Sequence, residues 1–153
     1  MRSRRIRSLS LVLLATLAAC GGAATAGGAA PSSAPAPAQG PTEVVERFLR
    51  LAASRSYLQM GQLFGTLEGP ITNRDPEPQV ERRMFAIANI LQNERFVIRG
   101  QQAIPGRGLE TLQIAVQITQ QGKVKEVPFV VVRAGNGGWL VEQVDLQALT
   151  RVQ

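Results

Sequence analysis

The spacing of apolar residues changes once along this chain, close to Asn93, and that change limits it to one class of fold. Upstream, Val80, Met84, Ile87 and Leu91 recur at steps of four, three and four, which lines one face of an α-helix. Downstream, Leu112, Ile114, Val116 and Ile118 alternate with Gln113, Gln117 and Thr119, the period of a strand with one face buried and one wet. Two more helical segments precede the change. Pro41 leads into an N-cap at Thr42 and the acidic Glu43, after which Val44, Val45, Phe48, Leu49 and Ala52 form one stripe to about Ser54. Tyr57, Leu58, Leu63 and Phe64 predict a short second helix ended by Gly65. Asp75-Pro76-Glu77 supplies an N-cap, a first-turn proline and a dipole partner for the helix of the Val80 stripe.

After the change, Phe96, Ile98 and Gly100 begin a first strand. Gln121-Gly122 and Gly135-Asn136-Gly137-Gly138 then break the rest into hairpin-linked strands over Val124 to Arg133 and Trp139 to Leu146. Helices first and strands last predict an α+β domain, with two to three N-terminal helices packed on a four-stranded antiparallel sheet. Pro128 cannot donate to a ladder, so its strand is either bulged there or turns that side to an edge.

This domain occupies residues 42–153, enough for one core. Ahead of it lies a different kind of sequence. Arg2, Arg4, Arg5 and Arg7 open the chain, and the nine-residue run Leu9 to Leu17, interrupted by Ser10 and Thr16, leads to Ala18, Ala19 and Cys20. A basic start, a short apolar stretch and a small-residue cleavage site form an export signal over residues 1–19. The run is far short of the roughly 20 residues a helix needs to cross a bilayer. Residues 21–41 comprise eight Ala, five Gly, four Pro, two Ser, one Thr and one Gln, with nothing able to build a core. Treated as a flexible chain, this tether spans about 25 Å root-mean-square.

Leu17-Ala18-Ala19-Cys20 resembles the lipobox of bacterial lipoproteins, whose Cys is diacylated and becomes the first residue after cleavage. The resemblance implies lipidation at Cys20, the chain's single Cys, and a membrane partner engaged through several acyl chains, as stable anchoring requires. Gly21 rather than Asp follows, which by the same resemblance implies the periplasmic face of the outer membrane in a two-membrane cell. In a one-membrane cell it implies the outer face of the plasma membrane.

The net charge of +6 is mostly part of this address. Removing residues 1–19 removes four Arg and no acid, and leaves 13 basic against 11 acidic side chains. The remaining charges are interleaved, as in Glu43, Glu46, Arg47 and Arg50, which speaks against nucleic acid as a partner. With no His and one Cys there is no familiar metal-ligand set, and no cofactor is expected. Gly106-Arg107-Gly108 lacks the third glycine and the strand-to-helix setting of a dinucleotide loop.

Val44-Val45-Glu46-Arg47-Phe48-Leu49, the segment around Tyr57 and Leu63-Phe64, and Gly138-Trp139-Leu140-Val141 together resemble the nuclear transport factor 2-like superfamily. A cystatin-like domain is the nearest competitor. The resemblance implies a curved sheet closed by helices into a cone. Members of that superfamily include enzymes, carriers and dimeric adaptors, so the fold does not supply the function. The expected reading is a non-catalytic binding or interaction domain. An isomerase- or lyase-like enzyme and an apolar small-molecule carrier are the alternatives. An enzyme would need an acid, a base or an oxyanion donor in the cone. The chain offers Tyr57, Asp75 and Asp145 for these roles, and each has a plainer use as an anchor, a cap or a turn residue.

A pocket in the cone would be lined by Tyr57, Leu112, Ile114, Phe129 and Trp139. On the strand from Val127 to Val132, both faces are apolar. Val130 and Val132 are therefore either a face for a homodimer or another envelope protein, or the second side of a central strand. Replacing Cys20 by Ala is expected to move the protein from the membrane fraction to a soluble or unprocessed form. Unchanged fractionation would refute lipidation.

Overall fold

The computed structural model describes residues 40–151; the signal, Cys20 and all but the last two residues of the tether lie outside the described residues. Helix α1, Pro41–Ala53, buries Val44, Val45, Phe48, Leu49 and Ala52, the stripe read from the sequence. Its cap is Gly40, in extended conformation, and not Thr42. Pro41 fits the first helical position, where its missing N–H would have been unpaired in any case, so the helix starts earlier and Thr42 falls in its first turn.

Helix α2, Tyr57–Gln62, follows a turn in which Arg55 adopts a left-handed conformation. It ends before Gly65, which is not its stop. The chain instead runs from Leu63 and Phe64 onto the sheet and then into a minimal hairpin, β1 (Gly65–Thr66) with β2 (Gly69–Pro70). A side chain at Gly65 would collide with the Gly69 carbonyl, which explains the glycine. A single 3-10 turn, Ile71–Asn73, connects to α3, Glu77–Ile90. Val80, Met84 and Ala88 of α3 are buried, together with Leu91 just beyond it, while Ile87 is half-buried. Asp75 does not cap α3: Pro76 occupies the cap position, and the Asp75 carboxylate lies 3.2 Å from the Arg83 guanidinium.

The strands β3 (Arg95–Ala103), β4 (Thr111–Gln120), β5 (Lys123–Arg133) and β6 (Trp139–Val144) form an antiparallel sheet in the order β3-β4-β5-β6. Gln121 and Gly122 both have positive φ, 50° and 72°, and make the two-residue turn whose twist suits a hairpin. Bulges interrupt the ladders at Arg99 in β3 and Glu142 in β6. Pro128 stands opposite Ala115 without a bulge. Its carbonyl accepts from the Asp145 N–H, so its nitrogen faces the point where β6 has ended and no donor is needed. A short helix absent from the sequence reading, α4 (Gln147–Thr150), closes the described chain. Asp145 serves it, accepting from the N–H groups of Gln147 (3.1 Å) and Ala148 (3.3 Å).

One face of the sheet carries the core. Ile114 pairs with Phe129 and Val116 with Val127, all fully buried, and the apolar stripes of α1 and α3 complete the cluster. Phe48 of α1 stacks on Phe64 at 5.9 Å between ring centres. Gly61 lets α2 approach α3, because a Cβ there would overlap the Val80 side chain and lie 3.3 Å from the Thr72 methyl. Gly61→Ala should therefore destabilise the fold by about 1–3 kcal/mol, overpacking outweighing the gain of about 1 kcal/mol in helix propensity. Urea unfolding measures it, and a stabilised variant would contradict this packing.

Candidate functional site

The five residues expected to line an interior pocket have separate fates. Ile114 and Phe129 are neighbours across β4 and β5 and are fully buried. Leu112 and Trp139 are half-buried and pack against the same cluster. Tyr57 sits at the start of α2 and meets Phe85 of α3 edge-on, 5.7 Å between ring centres. Neither of the two concavities described below is lined by any of the five. Thr111 is the buried polar residue among those described, and no buried side-chain N or O atom there lacks a hydrogen-bond partner.

The opposite face of the sheet is partly covered from within. Val132 is fully buried in a small cluster with Ala134 and Leu140, which removes it from any face offered to a second copy. β5 has a strand on each side and this second cluster above it. Val130, between Gln113 and Gln143, is half-buried. The loop between β3 and β4 reaches this face as well. Arg107 Nη1 and Nη2 donate to the two carboxylate oxygens of Glu142 at 2.7 and 3.0 Å, a fork that spans from the loop to the bulge of β6. The hydrogen bonds and charge of Glu142 hold the Arg107 guanidinium above its ordinary pKa. Further along this face, a shallow hollow of about 230 Å³ lies over Gly100 and Ala115.

The larger concavity, about 1030 Å³ and open to solvent, lies where the β4–β5 hairpin runs past the end of α3. Its origin is in the register. The helix-facing rows of β4 and β5 are Val116 with Val127, then Ile118 with Lys125, then Gln120 with Lys123, so that face turns polar near the hairpin. The C-terminal end of α3 forms one wall and Leu149, Thr150 and Arg151 form another.

Two long side chains fasten these walls. Gln120 Nε2 donates to the carbonyls of Ile90 (2.7 Å) and Gln92 (2.6 Å), and so satisfies acceptors at the end of α3. Lys125 Nζ donates to the carbonyls of Leu149 and Arg151 and does the same for α4. Glu94 Oε1 accepts the Gly122 N–H at 3.3 Å and ties the hairpin turn to the start of β3. The lining contains three cations, Lys123, Lys125 and Arg151, and one carboxylate, Glu94. Among the described ion pairs, none involves these three cations.

No family model, no curated protein and no solved structure matches the chain. The cleft residues did not stand out in the sequence because they come from three places: residues 89–94, 120–125 and 149–151. The one local signal was Lys123-Val124-Lys125, which at strand period puts both ammonium groups on one face. Gln120→Leu, which keeps the bulk and removes the donor, should lower stability by about 1–2 kcal/mol by leaving the two carbonyls without it. It should also speed amide exchange around Leu91 to Glu94. Unaltered exchange there would show that the fastening does not matter.

Proposed function

We propose that this chain is a lipid-anchored envelope lipoprotein whose α+β domain, of nuclear transport factor 2-like type, binds a ligand without transforming it. The observation that carries the reading is the contrast along the helix-facing side of the sheet, packed under α1 and α3 and open and polar near the β4–β5 hairpin. The helix-covered face is filled by Phe48, Met60, Met84, Ile114 and Phe129, and among the described residues no ionisable side chain is buried. Catalysis of the isomerase or lyase kind needs a titratable group beside the substrate in a sheltered site. A carrier for an apolar molecule would need space where these side chains pack. The polar cleft at the hairpin, in contrast, is roomy and bears unneutralised charge.

The ordered export signal and the sole Cys support the anchor, and the antiparallel meander with helices on one face supports the fold type. Partner binding through the other sheet face is the second reading, favoured by Val97 and Val124, which are 41% and 57% exposed on β3 and β5. Native mass spectrometry of the mature lipoprotein, released from detergent, is the test. A retained small molecule that is lost in the Lys123→Ala variant is the expected result. A bare dimer would transfer the function to the sheet face, and a bare monomer would overturn the binding reading.

A further inference from the structure

We infer that the cleft at the β4–β5 hairpin takes an acidic saccharide, a short sugar chain bearing carboxylate groups; the inference rests on the binding reading above and specifies its ligand. Three features of the lining lead to this class. The first is charge. Lys123, Lys125 and Arg151 face the cleft, and the single carboxylate, Glu94, is already engaged with the hairpin turn. Lys125 is committed to the α4 carbonyls and Arg151 Nη2 lies 3.3 Å from Gln147 Oε1, whereas the Lys123 side chain is exposed and makes no hydrogen bond or ion pair among the described residues. An anionic ligand therefore gains a partner without displacing one.

The second feature is the run of carboxamides, Asn89, Gln92, Asn93, Gln120 and Gln121. Each couples a carbonyl acceptor to an NH₂ donor, and this pair matches neighbouring hydroxyls, which both give and accept. Several of these donors are held by the protein itself: Gln92 Nε2 by Asn89, Asn93 Nδ2 by Leu91, and Gln120 Nε2 by the α3 end. Their acceptors are thereby fixed in direction. A preset array of acceptors beside cations suits a ligand with many hydroxyl donors and a few negative charges.

The third feature is what the lining lacks. No aromatic side chain is in it, so recognition by stacking, as for a nucleobase, has no platform there. Ile90 and Leu149 supply apolar contact suited to the C–H faces of sugar rings. The volume of about 1030 Å³ is at the upper end of the roughly 300–1,000 Å³ of ligand pockets and exceeds what a bare anion would fill.

Isothermal titration of the mature lipoprotein in detergent with trigalacturonate, galactotriose and inorganic phosphate tests the class. Trigalacturonate is expected to bind about tenfold or more tightly than either of the others, and Lys123→Ala to cost about tenfold. Lys123 is exposed and holds nothing together in the fold, so a matching thermal unfolding curve shows that the variant is intact. Equal binding of galactotriose would overturn the role of charge, and equal binding of phosphate would overturn the saccharide. If no sugar binds while native mass spectrometry still shows a different retained molecule, this inference fails and the binding reading stands.

Discussion

The structure depends on the burial of one face of a four-stranded sheet under helices that precede it in the chain. A lone antiparallel sheet leaves its apolar face wet, and α1 and α3 are too short to persist alone in water. Each supplies what the other lacks. Ile114, Val116, Val127, Phe129 and Val131 form the floor, and Phe48, Leu49, Val80, Met84 and Leu91 form the roof. The tight approaches at Gly61 and Gly65 follow from this arrangement, because α2 and the small β1–β2 hairpin must fit between a helix and the sheet margin.

Filling the interior displaces any binding chemistry to the periphery. The ladder of β4 and β5 continues past the end of α3, and the last helix-facing rows carry Gln120 and Lys123 where a longer helix would have demanded apolar residues. The same side chains that fasten the helix ends therefore form the floor of the cleft. Gln120 and Lys125 are committed to the helix ends there, while Lys123 is left uncommitted.

Period was the legible part of the sequence. The stripes of α1 and α3, the alternation in β4 and the turn at Gln121-Gly122 each follow from local chemistry and appear where expected. Caps were less legible, since Thr42 and Asp75 are good capping residues, but prolines beside them set the helix starts. The parallel contact of Phe64 with Val141, the bulges and α4 depend on contacts between distant segments. The residues expected around a pocket line neither concavity, and large apolar side chains at Leu112, Ile114, Phe129 and Trp139 describe a packed core and a lined cavity equally well. Only packing separates the two.

The contact of Phe64 with Val141 has a further consequence. The Val141 N–H donates to the Leu63 carbonyl at 2.8 Å, so the chain leaving α2 occupies the β6 margin of the sheet, while among the described residues no strand lies beside the β3 margin. A sheet with two free margins can add copies without end, whereas one blocked at a single side can only meet another of its kind back to back. Edge pairing between copies would thus be symmetric and would stop at two, which excludes fibre growth by this route. Arg95, Arg99 and the bulge between them and β4 oppose even that pairing.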